Sequence, residues 1–251
     1  MSDTMNIEDY LAQGGVLTSP ANVPARYRAD LMRLMSSFVD SELAGSAGFA
    51  SSINYAPGIK ERIAACRITL EKADHAERVL DLMGDFGTDT KRYQSTHDWA
   101  ARMGRDADVG HARAGGDMRL SVFHYPITDW TDAVVMNVLM GTATGVQMTE
   151  LTRLSYAPLA EVFREIAPRE ARHATLGLEG LTRIAATDEG RKAAVKAIAY
   201  WRPRVAATFG TAASPRFETL KRSGLRRQTN EALLADWNAK IDAQLAALNL
   251  T

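Results

Sequence analysis

Apolar residues recur every three or four positions in long segments of this chain, separated by short stretches rich in glycine, proline and polar residues. This spacing places apolar side chains on one face of an α-helix, whereas a β-strand would alternate them with polar ones. Four such segments run from about Tyr27 to Leu43, from Ile59 to Met83, from Trp130 to about Tyr156 and from about Pro158 to Ala185. We therefore predict an all-α protein with a core of four long helices.

The rest of the chain is predicted from the same pattern. Two amphipathic segments, at 188 to 209 and at 229 to 248, predict further helices that pack outside the four. Residues 84 to 120 are rich in Gly, Asp, Arg and Thr, which indicates a connecting region across the bundle. Residues 1 to 25 contain a glycine pair and two prolines, which prevent a long helix. We expect an N-terminal lead-in there, followed by a single helical domain over 26 to 251.

The third and fourth predicted helices each have a distinguishing feature. The third is apolar nearly all round, as a buried central helix should be, and its first acid beyond the N-terminal turn is Glu150. The fourth contains Pro168, which removes one helical hydrogen bond and predicts a kink.

Charge and composition exclude some classes of function. Of the 251 residues, 46% are hydrophobic, which suits one large domain with a substantial core. Thirty basic and thirty acidic residues cancel, and this balance argues against nucleic acid as a partner. The short basic stretch from Lys221 to Arg227 indicates a solvated loop or, as the sharper alternative, a contact to a phosphate or an anionic cofactor.

Cysteine usage and the N-terminus indicate the compartment. Cys66 is the single cysteine, so an intramolecular disulfide framework is excluded, and its apolar neighbours predict a place in the core. The first residues lack the basic and apolar regions of a signal peptide, and no apolar run approaches the length of a membrane span. These features predict a cytoplasmic protein.

Glu170 and His173 form the most specific local motif. They lie three residues apart on the fourth predicted helix, so both side chains leave the same face about one turn apart. Di-iron four-helix bundles use Glu-x-x-His on two helices and a lone carboxylate on each of the others. The same spacing also arises by accident, in which case the two residues belong to a solvated helix face. Glu42 and His75, on the first two helices, taken alone indicate a surface glutamate and a core histidine.

Six short stretches spread over the predicted helices together match the pattern of one protein family. They are Ser41-Glu42-Leu43-Ala44-Gly45, Ala73-Asp74-His75, Ser121-Val122-Phe123-His124-Tyr125-Pro126, Ser155-Tyr156-Ala157-Pro158, Glu170-Ala171-Arg172-His173 and Tyr200-Trp201-Arg202-Pro203. With them the chain resembles the phenylacetic acid catabolic family, the ferritin-like catalytic subunits of ring-1,2-phenylacetyl-CoA epoxidase, from about residue 29 to 248. The resemblance implies a ferritin-like four-helix bundle with additional C-terminal helices, and a role in aromatic catabolism.

The resemblance also implies a set of metal ligands, which this chain matches only in part. Glu42, His75, Glu170 and His173 fall on ligand positions of the family pattern. Lys72 and Gly141 fall where the family has carboxylates, so two of the six ligands of the pattern are replaced.

Two glutamates lie near the replaced positions, and they differ in whether they can take the place of a lost metal ligand. Glu71 precedes His75 by four residues and can share its face, so it is a candidate replacement ligand. Glu150 lies nine residues beyond position 141, which is about two and a half helical turns and points it to the opposite side.

Lys72 offers another interpretation of the site. Its ammonium can occupy the former metal volume and pair with Glu42 and Glu170. Burying a lysine costs several kcal/mol unless it is paired and hydrogen-bonded, and the two carboxylates would supply both. The bundle would then be free of metal.

Three hypotheses of function follow from this pattern. In the first, Glu42, Glu170 and His173, with His75, hold one iron or a weakened iron pair, and an aromatic or acyl-CoA substrate is oxidised with electrons from a separate reductase. In the second, the protein is a metal-free lyase, hydrolase or isomerase with Lys72 as base, Schiff-base amine or electrostatic stabiliser. In the third, it is a non-catalytic subunit of a multicomponent oxygenase. We expect a homo- or hetero-oligomer, with neither nucleic acid nor membrane as partner.

Overall fold

The fold is built from helices. A computed structural model of the chain describes residues 7–109 and 115–250, and across these residues it contains nine α-helices and no β-strand. The helices are α1 (Ile7–Ala12), α2 (Ala25–Ser52), α3 (Ile59–Asp85), α4 (Thr90–Tyr93), α5 (Trp130–Leu151), α6 (Ala157–Ile184), α7 (Asp188–Ala206), α8 (Phe217–Arg222) and α9 (Asn230–Ala247). The all-α prediction is therefore confirmed.

The four long helices form the bundle, and later helices cover it. Helix α2 packs along α3, α5 packs along α6, and α3 also contacts α6. Helices α7 and α9 both pack on α5, which explains why α5 is apolar nearly all round. The indole N–H of Trp237 on α9 donates to the backbone carbonyl of Leu139 on α5 at 3.0 Å, which joins the two helices inside the apolar core. This arrangement matches the predicted ferritin-like bundle with extra C-terminal helices.

Three boundaries differ from the prediction. Helix α2 continues through Gly45 and Gly48 to Ser52, because packing against neighbouring side chains outweighs the low helix propensity of glycine. Helix α5 ends at Leu151 rather than near Tyr156. The backbone of Ser155 instead donates to Gly224 at 3.1 Å and accepts from Leu17 at 2.7 Å, so tertiary contacts take the place of helical ones. Helix α8 is a short element that the apolar pattern did not reveal.

The expectation of a buried Cys66 is wrong. Cys66 is exposed on α3, where Ile59, Ile63 and Leu70 are also exposed, by 74%, 54% and 69% respectively. These positions share the outer face of the helix, because they follow one another at spacings of four, three and four residues. Apolar neighbours in sequence therefore form an exposed apolar stripe here rather than core.

The described part of the 84–120 connection is fixed to α2 by buried polar groups. The carboxylate of Asp40 accepts the Tyr93 hydroxyl at 2.8 Å and the Met118 backbone N–H at 2.7 Å. The Leu120 backbone N–H donates to Ser41 Oγ at 3.0 Å. Asp40 and Ser41 directly precede Glu42, so these bonds hold the connection over the part of α2 that carries the glutamate.

The described helices also bear on membrane insertion. Within residues 7–109 and 115–250, no helix combines the length and the apolar character that crossing a membrane requires.

Candidate functional site

Five of the predicted site residues meet inside the bundle. Glu42 lies on α2, Lys72 and His75 on α3, and Glu170 and His173 on α6, with exposed fractions between 0 and 7%. The spacing of three residues on both α3 and α6 explains why each helix contributes a pair to one face. We call these five residues the polar cluster.

The Lys72 ammonium joins the carboxylates of two helices. Its Nζ atom donates to Glu42 Oε1 at 3.0 Å and to Glu170 Oε1 at 3.1 Å. Burial alone would lower the pKa of Lys72, but the charges of Glu170 and Glu42 outweigh burial and raise it. Lys72 is therefore protonated at neutral pH.

Room for the Lys72 stem comes from a glycine. A Cβ atom at Gly45 would lie 3.2 Å from Lys72 Cδ and 3.3 Å from a ring carbon of Phe123. Both approaches are tight for a real side chain, so only glycine fits here without displacing a neighbour. Gly45 ends the stretch Ser41-Glu42-Leu43-Ala44-Gly45, but its role depends on side chains that are distant in sequence.

His75 contacts the same two carboxylates. Its Nδ1 atom lies 3.2 Å from Glu42 Oε2 and 3.1 Å from Glu170 Oε1. Burial would lower the pKa of His75, but the hydrogen bonds to Glu170 and Glu42 outweigh burial and raise it. The raised pKa of His75 favours its protonated form, and the positive charges of His75 and Lys72 then face the two carboxylates.

Glu170 lies at the centre of the polar cluster. Burial would raise the pKa of Glu170, but the Lys72 charge and the hydrogen bonds with His173 and His75 hold it well below its usual range. The carboxylate is therefore ionised at neutral pH.

Glu71 occupies the far side of His173. Its Oε2 atom lies 2.7 Å from His173 Nε2, and its Oε1 atom lies 3.4 Å from Arg172 Nη2. The opposite ring atom, His173 Nδ1, lies 3.4 Å from Glu170 Oε1. Glu71 thus orients His173 from outside the polar cluster, and this position argues against Glu71 as a replacement ligand.

Two buried imidazole nitrogens in the polar cluster are weakly bonded. Among the described residues, His75 Nε2 has no hydrogen-bond partner, and the nearest polar contact of His173 Nδ1 is the long one to Glu170 at 3.4 Å. The two rings lie 5.9 Å apart at their centroids and are inclined by 28°, so they stack loosely.

Asn137 on α5 is a supporting residue that sequence reasoning missed. Its Nδ2 atom donates to the backbone carbonyl of His173 at 2.9 Å. A Cβ atom at Gly177 would lie 2.7 Å from Asn137 Nδ2, so glycine at 177 makes room for the amide. The signal for Asn137 was available, because an uncharged polar residue in a nearly all-apolar helix calls for a hydrogen-bond partner.

Gly141 lies in close contact with α6 beside the polar cluster. A Cβ atom there would be 3.2 Å from both Cα and Cβ of Ala174, the residue after His173. A carboxylate at 141 would therefore require α6 to shift by a few tenths of an ångström. Glu150 does not replace it, because its carboxylate accepts the backbone N–H groups of Arg227 and Gln228 instead.

The residues present do not fit a di-iron centre. Glu42, His75 and Glu170 each offer one ligand atom, and these atoms lie within 4.8 Å of one another. The Lys72 ammonium is bonded to both carboxylates of this set, and a dication would have to displace it. The carboxylate expected at 141 is replaced by a glycine in close contact with α6.

A cavity of about 820 Å³ adjoins the polar cluster. Of the five cluster residues, which all belong to the described part of the chain, Glu42 alone lines it. A bound molecule would therefore meet the polar cluster through the Glu42 carboxylate.

Comparison with known proteins gives two results. A family model described as phenylacetic acid catabolic protein matches residues 5–251. The chain is also similar to one of the subunits of 1,2-phenylacetyl-CoA epoxidase from Escherichia coli (strain K12), with 24% identity over 193 residues. That match covers 76% of this chain and 57% of the relative, so the chain spans little more than half of the relative's length.

Proposed function

Since the chain belongs to the phenylacetic acid catabolic protein family, we propose that it is an enzyme of aromatic catabolism that transfers a proton at Glu42 without a metal ion. The observation that carries this proposal is the Lys72 ammonium, bonded at 3.0 and 3.1 Å to the two carboxylates that would otherwise hold metal. The ammonium balances the charge of the two carboxylates as a metal ion would, but unlike a metal ion it offers no coordination position for a substrate or dioxygen.

The roles of the cluster residues differ under this proposal. Glu42 is the catalytic residue, because it is the member of the polar cluster that a molecule in the cavity can touch. Lys72 and His75 are positioning residues that each hold one oxygen of the Glu42 carboxylate. Glu170 in turn contacts both Lys72 and His75, and His173 contacts Glu170. A carboxylate fixed in this way in the wall of a cavity suits proton transfer in a lyase, isomerase or hydrolase.

The substrate class follows from the relative. That protein is named for phenylacetyl-CoA, so an aromatic, CoA-linked compound is the first substrate to test.

Iron-dependent oxygenation is the second candidate function. It is favoured by one observation, the ligand atoms of Glu42, His75 and Glu170 within 4.8 Å of one another. It requires the Lys72 side chain to leave both carboxylates, and it requires a reductase as partner.

Metal analysis of the purified protein, expressed with ample iron, separates the two candidates. We expect the wild type to contain far less than one iron per chain, and the Lys72→Glu variant to gain iron because the substitution restores a carboxylate and removes the ammonium. Lys60→Glu on the exposed part of α3 is the matched control and should gain none. Near-stoichiometric iron in the wild type, lost in His173→Ala, would overturn the metal-free proposal.

Turnover by the isolated chain tests the enzyme itself. With phenylacetyl-CoA under anaerobic conditions, we expect a product without added oxygen, detected by mass spectrometry. Glu42→Gln should lower the rate by about 100-fold or more, because removal of a general base has effects of this size. If the metal-free protein turns over neither this substrate nor free phenylacetate, a non-catalytic role in a multicomponent oxygenase becomes the better interpretation.

A further inference from the structure

The large cavity follows helix α2 away from the polar cluster. Asp30 and Glu42 both line it and lie twelve residues apart on this helix, so at 1.5 Å per residue it extends for about 18 Å. Between them the wall has an apolar part, formed by Leu34 and Phe38 from α2 and by Met148 and Leu151 from α5, beside polar residues of the same helices. An extended apolar body fits along this wall.

Cationic residues line the cavity away from Glu42. Arg33, Arg216 and Arg226 are all part of the wall. Arg226 contacts Gln147, which lies six residues beyond Gly141 on α5 and therefore about 9 Å from the level of the polar cluster. The cavity thus has a carboxylate at one end and guanidinium groups towards the other.

Arg226 differs from Arg216 in its partners. Arg216 forms an ion pair with Asp30, which neutralises it. Arg226 instead donates to neutral oxygens, at 3.1 Å to Gln147 Oε1, at 2.9 Å to Asn230 Oδ1 and at 3.3 Å to the carbonyl of Gln228. Among the described residues, no carboxylate lies within ion-pair distance of it.

Burial makes the charge of Arg226 costly. Burial lowers the pKa of Arg226, and the nearby Glu150 charge offsets this only in part. The Glu150 carboxylate itself accepts backbone N–H groups of residues 227 and 228. Arg226 is partly buried, so its charge has lost part of its hydration without gaining a paired anion, and an anion entering the cavity would relieve this cost.

We propose that the cavity binds an amphiphilic anion, with its anionic head bonded to Arg226, its apolar or aryl body along α2 and its reacting end at Glu42. The proposal rests on the proposed function only for the chemistry at Glu42. The head is a carboxylate or a phosphate, because both accept the paired N–H groups of a guanidinium. A free aryl carboxylic acid and a CoA thioester are the two sources of this chemistry.

Calorimetric titration with three probes tests the proposal. The probes are 8-phenyloctanoate, the neutral 8-phenyloctanol with the same apolar body, and phenylacetyl-CoA. We expect the acid to bind wild type at least tenfold more tightly than the alcohol. Tighter binding of phenylacetyl-CoA, with the same dependence on Arg226, would assign the head as a phosphate, whereas tighter binding of the acid would assign it as a carboxylate.

Variants test whether the affinity for the anionic probe depends on Arg226 and on the cavity. Arg226→Gln should lose tenfold or more in affinity for the anionic probe, and Arg227→Gln, an exposed neighbour outside the cavity wall, should lose none. Leu151→Trp should weaken binding by narrowing the cavity beside its apolar wall while it leaves Arg226 in place. Circular dichroism melting curves identify any variant that is unfolded.

Two outcomes would overturn the proposal. One is equal affinity for the acid and the alcohol, and the other is unchanged affinity in Arg226→Gln. Glu42→Gln should keep its affinity while it loses turnover, so a failure of proton transfer is separated from a failure of binding.

Discussion

Lys72 carries a positive charge into a part of the bundle where four other ionisable side chains are also buried. Its stem lies against Gly45, and its ammonium contacts Glu42 and Glu170. Each carboxylate also contacts His75, so every charge in this group has an oppositely charged neighbour. Removing one member would therefore leave the charges of the others unbalanced in the buried interior.

We expect Lys72→Met to lower the free energy of unfolding by about 3–5 kcal/mol, because it leaves two buried carboxylates without their shared cation. Urea unfolding at pH 7 measures the loss. Lys60→Met, at an exposed position of the same helix, should stay within about 0.5 kcal/mol of wild type. The double variant Lys72→Met/Glu170→Gln should lose less than the sum of the two single changes, and simple additivity would contradict the coupling.

At the scale of residues, spacing singled out Glu170 and His173, and the resemblance to the family pattern supplied Glu42, Lys72 and His75, but the neighbours of the cluster were only partly predictable. Lys72 stood out because it falls on a ligand position, and its pairing with Glu42 and Glu170 followed from charge alone. The place of Glu71 on the outer nitrogen of His173 depends on how α3 and α6 are rotated, which spacing does not determine. The same holds for Asn137 and Gly45, whose roles are defined by neighbours distant in sequence.

At the scale of elements, Asp132 joins the start of α5 to α7 and to the connecting region. It accepts the indole N–H of Trp201 at 2.9 Å and the Thr128 hydroxyl at 2.8 Å, and it forms an ion pair with Arg105. Burial would raise the pKa of Asp132, but the hydrogen bonds from Arg105, Thr128 and Trp201 outweigh burial and lower it below its ordinary value of 3.8. The ionised carboxylate therefore stabilises the folded state.

The sign of this pKa shift predicts a pH dependence for Asp132→Asn. A carboxyl with a lowered folded-state pKa contributes fully above its unfolded value and loses the contribution as pH falls through the folded value. We expect the variant to be less stable than wild type by about 2 kcal/mol at pH 7, and the difference to shrink by pH 3.

Urea unfolding followed by tryptophan fluorescence at pH 7, 5 and 3 measures the difference for Asp132→Asn. Asp236→Asn, which breaks an exposed ion pair with Lys240, should change stability little at any of these values. A difference for Asp132→Asn that is as large at pH 3 as at pH 7 would contradict the prediction.

Elements were predictable from the sequence where they bury a continuous apolar face. The cores of α2, α3, α5 and α6 satisfy this condition, and their apolar spacing located them. Their ends depend on other interactions, as Ser155 shows by bonding to Leu17 and Gly224 rather than extending α5. Cys66 was misassigned because the apolar spacing of α3 has two faces, and one of them is exposed.

At the scale of the whole molecule, the connecting region and the bundle are joined next to the site. Asp40 accepts hydrogen bonds from Tyr93 and Met118, two positions of the connection that lie 25 residues apart in sequence. This junction covers the part of α2 from which Glu42 faces the cavity. Order in the connection and order at Glu42 are therefore linked through a single turn of α2.

We expect Asp40→Ala to loosen the connection, because the Tyr93 hydroxyl and the Met118 N–H lose their acceptor. The loss of unfolding free energy should be about 2–3 kcal/mol for the two buried donors. Hydrogen exchange should speed up in residues 115–120 of the variant while the amides of α5 stay protected. Asp81→Ala, at an exposed position of α3, is the control and should leave exchange in this segment unchanged.

The close contact between Gly141 and Ala174 has a consequence for the evolution of this chain. A lineage that carries this chain can change Lys72 to glutamate by substitution at one position, but that step alone leaves position 141 closed. A carboxylate at 141 in turn needs α6 to shift by a few tenths of an ångström, so it carries a packing cost that a change at position 72 does not remove. The full ligand set of the family would therefore require two separate steps, one in charge and one in helix packing.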